Sequence, residues 1–396
     1  MKPELLSPVA GFDSLKAAVD AGADAVYFGV NELNMRANAR NFKLSELKKA
    51  VDFCHKSKVK AYLALNTIIY EDELAKIRKI LKKAKQANVD AVILWDMAVL
   101  EETKKLKIPV HLSTQASVSN SSAANFYKKL GIKRIILARE CTLRQIGGIK
   151  KNSGIEIETF IHGAMCVSVS GRCFLSQEIF RRSANRGDCL QPCRREYSIE
   201  DAEEKHKLKL GKNYVMSPKD LCSLPFLGKL AKAGITAFKI EGRNRSPEYV
   251  KAVTEVYREA IDSKLTKSKM QSLMKKLKTV YNRGFSSGFF LGLPTAKDFT
   301  DSYGSKATTR KQYVGFVKNF YKNVGAAEIK LEAGSLKAGD KLLIIGNKTG
   351  VAEETVTSMQ INKKPVKKAE KGKRVGIKTK SQVRENDKVY VIKSAN

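Results

Sequence analysis

Eight short apolar runs punctuate the chain between residues 4 and 242, and their regular return limits what it can fold into. The runs are ELLSP from Glu4, AVYFGV from Ala25, AYLALN from Ala61, AVILW from Ala91, PVHLS from Pro109, RIILA from Arg134, ETFIHG from Glu158 and AFKIEG from Ala237. Segments such as Leu15 to Ala21, Leu44 to His55 and Asp72 to Ala87 lie between them and carry apolar residues at helical spacing. Near-continuous apolar runs, rather than alternating ones, are what strands buried on both faces of a parallel sheet require. Eight such units predict an α/β chain closed into a (β/α)8, TIM-like barrel. An open doubly wound sheet is the alternative, since strand count does not prove closure.

Past residue 309 the pattern changes. YVGFVKNF, AAEIKL, DKLLIIG, TVTSMQI, RVGIKT and DKVYVI are short strand-like runs separated by turn signals such as Ala338-Gly339-Asp340. They predict a small antiparallel β-barrel over 310–396, of the kind seen as the second domain of translational elongation factors, behind a barrel domain over 1–309. Its 19 Lys and Arg outnumber 8 Asp and Glu from residue 311 onward, so this part carries +11.

The barrel repeat is interrupted once, between its seventh and eighth strands, by an insertion of about residues 164–222 that holds five of the seven cysteines. Cys166, Cys173, Cys189 and Cys193 are spaced C-x6-C, C-x15-C and C-x3-C, and Cys222 follows after 28 residues. Thiols clustered in an otherwise cysteine-poor chain point to a shared metal. Structural zinc sites pair short C-x2-4-C knuckles, and only Cys189 and Cys193 come near that form. Loops of six and fifteen residues suit a larger all-thiolate object such as an iron–sulfur cluster. Spacing alone leaves zinc and unligated thiols open. YSIED and NYVMSP read as two strands of the same excursion, and Leu224 to Ala233 as a helix returning to the barrel.

Residues at the carboxyl ends of barrel strands converge on one mouth, where such barrels carry their chemistry. His111, Gln115, His162, Lys239, Glu241 and Arg243 fall there and are the candidate catalytic residues, with Asn66, Ser113, Thr114, Arg139 and Glu140 beside them. Ordinary strand-to-loop transitions also look polar, so the set carries more weight than any member. Six arginines and no lysine lie between Cys166 and Tyr197 in a lysine-rich chain. The guanidinium fork suits carboxylate or phosphate, which makes Arg181, Arg182 and Arg186 candidates for binding a carboxylate co-substrate or a nucleotide; salt bridges to Glu178, Asp188 or Glu196 are the structural alternative.

The chain carries 74 basic and 40 acidic side chains, a net +34. Such an excess favours polyanionic partners, although a lysine-rich proteome would produce it too. No run reaches 18 apolar residues and the start lacks a signal-type apolar core, so a cytoplasmic protein with reduced thiols and no membrane segment is expected. There is no H-E-x-x-H, and His55, His111, His162 and His206 are scattered.

ETFIHGAMCVSVSGRC, SANRGDCLQPCRREY, MSPKDLC and FKIEGRNRSPEYV, with ELLSPVAGFDSLKAAVDAGADAVYFGV, HLSTQASVSN and YNRGFSSGFFLG, resemble the collagenase-like peptidases of unassigned catalytic type over nearly the whole chain. The resemblance implies a barrel with the same small carboxyl-terminal module. The better-understood members that the chain resembles are oxygen-independent hydroxylation proteins acting on pyrimidine C5 in tRNA or ribosomal RNA, with prephenate implicated as a co-substrate and a 4Fe-4S cluster held by four cysteines. Cys166, Cys173 and Cys189 match the ligand positions; for the fourth the resemblance favours Cys222 over Cys193. Proteolysis and RNA binding without catalysis are the alternative functions.

Overall fold

The computed structural model describes residues 2–200, 202–205, 207–210 and 216–395. All eight apolar runs are strands: β1 (Glu4–Pro8), β2 (Ala25–Phe28), β3 (Lys60–Ala64), β4 (Ala91–Leu94), β5 (Val110–Leu112), β6 (Arg134–Ile136), β7 (Glu156–Gly163) and β8 (Ala237–Ile240). Neighbours pair in parallel, and β8 bonds to both β1 and β7, so the barrel is closed and the open-sheet alternative falls away.

Helices cover the outside because each presents one apolar stripe. In Leu74–Ala87 the buried residues are Ile77, Ile80, Leu81, Ala84 and Ala87, at helical spacing. Side-chain caps set their starts. Asp96 accepts from the Ala98 amide at 2.9 Å, Asn120 from that of Ala123 at 2.9 Å, and Thr142 pairs with Gln145 in a capping box. Helix Pro247–Asp262 opens with Ser246 at its N-cap and Pro247 in its first turn.

The barrel interior departs from the usual branched aliphatic filling. Its amino-terminal half holds a charge network. Arg134 donates to Glu4 at 2.6 Å, Glu156 at 3.0 Å and Glu158 at 3.4 Å; Lys239 donates to Glu158 at 2.7 Å and Lys60 to Glu4 at 2.8 Å. Three acids meet three bases, so the network is neutral as a whole, and Tyr62 adds a hydroxyl bond to Glu4 at 3.0 Å.

The insertion leaves β7 and returns to β8 from the same edge. Asp220–Cys222 lies antiparallel to the end of β7, and Phe285–Ser286 pairs beside it. YSIED does contribute a strand, Tyr197–Glu200, but its partner is Lys207–Leu210; residues 213–215 of NYVMSP, and His206, lie outside the described residues. The returning helix is present as Leu227–Lys232 after a single tight turn.

Beyond Thr309 an eight-stranded antiparallel sheet curls around its own core, which includes Val314, Val317, Ile329, Leu342, Val375 and Val391. Its outermost strands, Gly350–Thr355 and Lys364–Pro365, are not paired with each other, so its ladder does not close as the expected barrel would. Ala17 of helix Phe12–Asp20 packs with Leu343, Ile345 and Val351 from this sheet. Among the described residues no helix is long and apolar enough to cross a membrane.

Removing one partner from a buried charge network leaves the others uncompensated, which typically costs about 3–5 kcal/mol. Arg134→Met should lose stability of that order in urea unfolding at neutral pH. Burial raises the Glu4 carboxyl, but Arg134 and Lys60 outweigh it and hold it below its ordinary 4.5. A depressed carboxyl stabilises fully above that value and loses the contribution as pH falls below it. The acid-side decline in stability should therefore be shallower in Arg134→Met than in the wild type.

Candidate metal centre and barrel mouth

A cavity of about 890 Å³, counting its open side, lies between the carboxyl ends of the barrel strands and the insertion. Its floor is the upper inward layer of the barrel: Tyr27, Ala64, Ile93, Ile136, Phe160 and Lys239. Its roof is the insertion, and four thiols face it: Cys166, Cys173, Cys189 and Cys193.

The loops that carry these thiols turn back repeatedly, through Ser170 (φ 47°), Gly171 (φ 85°), Arg181 (φ 56°), Gly187 (φ 81°) and Gln191 (φ 56°). The Leu175 amide donates to Cys173 Sγ at 3.4 Å and the Gln191 amide to Cys189 Sγ at 3.3 Å. Amides aimed at sulfur favour its charged form. Burial pushes the Cys189 and Cys193 thiols up, and the neighbouring sulfurs add to this, so without a cation among them they stay protonated. Among the described residues no three Cys, His, Asp or Glu side chains converge closely enough for one metal ion.

Cys222 is elsewhere. It is buried behind β7, with Tyr257 Oη at 3.8 Å and Met274 Sδ at 3.9 Å, and burial pushes its thiol up to about 11. Of the two candidates for the fourth position, Cys193 shares the cavity with the other three thiols and Cys222 does not.

His162 is elsewhere too. Lys239 pairs with Phe160 but Ile240 with His162, so β7 carries one extra residue there, and a bulge of this kind reverses which face a side chain takes. His162 consequently leaves the barrel interior and packs against Tyr249, Tyr257 and Phe285, with Nδ1 3.3 Å from Tyr257 Oη. Burial lowers its pKa to about 3, which keeps it neutral. His111 faces inward beneath the cavity floor, edge-on to Tyr62 at 4.6 Å, with Nδ1 unbonded and its protonated form disfavoured first by burial and then by Arg134 and Lys239.

Gln115, Lys239, Glu241 and Arg243 do line the cavity, with Asn66, Ser113, Thr114 and Arg139. Asn66 donates to Ser113 and to Gln115 at 3.1 Å each, fixing one wall. On the opposite wall Arg36 donates to Glu241 at 2.9 Å. Arg243 donates to Asn41 at 2.7 Å and also to Asn34. Burial lowers Arg243 to about 10, and its Nε has no partner. Arg139 donates to the Ala164 carbonyl at 3.1 Å, lies 4.2 Å over the Phe160 ring, and has a buried Nε without a partner. Arg36, Asn34 and Asn41 belong to the loop after β2, which the sequence reading passed over; its only signal was a run of Asn and Arg where a strand ends.

The insertion arginines do not face the cavity. Arg182 forks onto Asp188 at 2.8 and 2.9 Å, Arg186 bonds Glu73 at 2.9 Å and lies 4.7 Å over the Tyr70 ring, and Arg181 is exposed at a helix end. For Arg182 and Arg186 the salt-bridge alternative is the one observed: they brace the insertion. Glu140 does the same from the barrel, accepting from the Ser170 amide at 2.8 Å and its hydroxyl at 3.1 Å.

The G-x-S-x-G spacing of a nucleophile elbow occurs as Gly284-Phe285-Ser286-Ser287-Gly288 and escaped the sequence reading. Ser286 ends a two-residue strand with no helix after it, and its Oγ accepts from the Gly288 amide at 3.2 Å. His55 and His162 are bonded to Asp90 and Tyr257 instead.

Residues 10–300 match the family described as peptidase family U32. The chain belongs to peptidase family U32. Over 98% of its length it is 46% identical to an uncharacterized protease of Methanocaldococcus jannaschii, covering 98% of that protein. It is 40% identical to a collagenase of Porphyromonas gingivalis over 98% of this chain and 97% of that one. A tRNA hydroxylation protein of Bacillus subtilis is 36% identical over 87% of this chain and 84% of its own. Family U32 thus includes relatives with proteolytic names and relatives with RNA-modification names.

The seat of the insertion on the barrel rests on a close backbone approach. A Cβ at Gly187 would stand 2.1 Å from the Asn34 carbonyl oxygen, at a φ of +81° that side chains rarely adopt, and the Asn38 amide donates to the Gly187 carbonyl at 3.3 Å. Gly187→Ala should lift the insertion from the mouth. Limited proteolysis should then cut within residues 164–196 faster than in the wild type, while the melting transition of the barrel is retained.

Proposed function

We propose that this chain is an iron–sulfur RNA-modification enzyme that hydroxylates C5 of a pyrimidine in tRNA or ribosomal RNA without molecular oxygen, using prephenate as co-substrate, in the cytoplasm. The observation that carries this reading is that four thiols and four cationic side chains face one cavity at the barrel mouth. A relative at 36% identity is named a tRNA hydroxylation protein, which supports the choice of reaction.

The donor set fits the cluster. Cys166, Cys173, Cys189 and Cys193 supply four soft ligands that face one cavity, two of them already receiving amide hydrogen bonds. A thiolate-bound cluster supplies one-electron chemistry when present. The remaining groups bind and orient. Arg139 and Arg243 each have a buried Nε without a partner and no hydrogen bond to a protein carboxylate, which suits a bidentate carboxylate ligand. Arg36 is held by Glu241, and the Asn66–Ser113–Gln115 wall offers amide and hydroxyl groups for a base edge. The +11 carboxyl-terminal sheet adds general attraction for an RNA backbone.

Proteolysis, the reading carried by the names of two relatives, finds little support in the geometry. Neither Ser286 nor Cys222 is presented to solvent beside a free histidine: Cys222 is 3% exposed and His162 2%. Gelatin incubated with pure protein should remain uncut whether or not iron is bound.

Anaerobically prepared protein should be brown and hold about four iron atoms per chain. Ser replacements at Cys166, Cys173, Cys189 and Cys193 should each remove the colour, whereas Cys222→Ser should keep it. Colourless protein with stoichiometric zinc refutes the cluster. With iron retained, Arg139→Ala and Arg243→Ala should lower RNA hydroxylation roughly 100-fold if they position a co-substrate. The readout is the mass gain of one oxygen on a pyrimidine nucleoside from tRNA and from ribosomal RNA of complemented deletion cells.

A further inference from the structure

We infer that the outer face of the insertion, centred on Phe174, is a stacking platform for an unpaired RNA base next to the one that enters the cavity. The inference rests on the RNA reading above and deepens it by naming the form of RNA, a single strand with splayed bases.

Thirteen large hydrophobic side chains are exposed among the described residues, and five of them, Val167, Val169, Phe174, Ile179 and Leu190, fall within residues 167–190. An even spread over 396 residues would put about one there; Val167 lines the cavity, which leaves four outside it, and concentrated exposed apolar residues mark an interaction site. Phe174 is the most exposed of the five, at 66%, although the preceding residue, Cys173, faces the cavity. Among the described residues no ring or cation stacks on it.

The ring stands on a fixed support. Val169 and Arg172 form an antiparallel bridge across the Ser170-Gly171 turn, which Glu140 ties to the barrel. The Cys173 amide donates to the buried Asn185 side chain at 3.2 Å, and helix Leu175–Phe180 begins at the next residue. The ring is therefore held out beside the cavity rather than folded onto the protein.

Charge selects the occupant. Arg172 and Arg181 are exposed and bracket Phe174 in the chain, Arg172 also donating to the Ser117 hydroxyl at 3.0 Å; of the acids in the same stretch Asp188 is taken by Arg182, which leaves Glu178 and Glu196. An exposed ring in a stretch with excess guanidinium groups complements a polyanion with aromatic faces. Stacking of that kind is sequence-tolerant and demands bases already out of a duplex.

The test compares binding of a stem-loop with a pyrimidine-rich loop against the same loop sequence annealed to its complement, using full-length protein with iron measured in each preparation. Phe174→Ala should weaken loop binding about five-fold or more, the low end of what base–aromatic stacking contributes, and leave duplex binding unchanged. Phe174→Tyr should bind like the wild type and Phe174→Leu like the alanine variant. If the alanine change costs iron, the tyrosine and leucine variants decide. Equal loop binding by wild type and Phe174→Leu would show a merely apolar patch and overturn the platform. A wild type that does not prefer loop to duplex also overturns it. Nucleoside mass spectrometry then reports separately whether RNA hydroxylation itself survives.

Discussion

Closure of the barrel by β8 is the constraint on which the rest depends. β8 takes its hydrogen bonds from β1 on one side and β7 on the other, with Ala237 opposite both Glu4 and Glu158. The chain that leaves β7 at Gly163 must therefore come back beside it, whatever it does between. A segment so tethered at both ends cannot extend the ring, and it folds over the mouth instead. The first consequence is positional: every cysteine loop starts and ends at the rim where eight strands present their last side chains. The second concerns backbone contacts, because a roof this near the loop after β2 has no room for a side chain at Gly187.

Charge divides the barrel interior into two halves. The lower half balances three acids with three bases and is closed by them. The upper half does not balance. Arg36, Arg139, Lys239 and Arg243 face the cavity with Glu241 as the one carboxylate among its lining residues. Lys239 belongs to both halves, since its ammonium is bonded to Glu158 below while it lies 4.2 Å from the Tyr27 ring above. Burial depresses both Lys239 and Arg243, and an anion entering the cavity would relieve that penalty. The mouth is thus prepared for negative charge by burial of cations rather than by their number on the surface.

The barrel strands were legible because parallel strands buried on both faces cannot alternate, and such runs stand out against lysine-rich helices. The site was legible only where a residue's face follows from strand geometry. Gln115, Lys239, Glu241 and Arg243 sit where strand ends place them. His162 does not, because a bulge depends on the register with the neighbouring strand, and register is not written in one strand's own sequence. The position of Cys222 was hidden for a related reason: it lies in a strand whose partner is β7, and that pairing buries it behind the barrel wall. Arg36, Asn34 and Asn41 lie in a loop with no periodicity to read. In the carboxyl-terminal sheet Gly350–Thr355 and Ser335–Lys337 went unread, since the first has only Val351 and Ala352 as apolar side chains and the second is three residues long with one, Leu336.

Arginine in this protein does two separate jobs, and location decides which. Those contributed by the insertion are exposed or half-buried, and where they meet acids they form braces: Arg182 to Asp188 within the insertion, Arg186 to Glu73 across to the barrel. An exposed ion pair stabilises little by itself, but one that joins two segments also fixes their relative position. Those contributed by the barrel loops line the cavity, Arg243 buried and Arg36 and Arg139 half-buried. A roof built of loops is seated by tethers, and a floor built of strands can hold charge in place, so the arginines around the cysteines that meet acids report the seating of the roof. The cavity arginines that no protein carboxylate claims by hydrogen bond, Arg139 and Arg243, lie outside the enriched stretch.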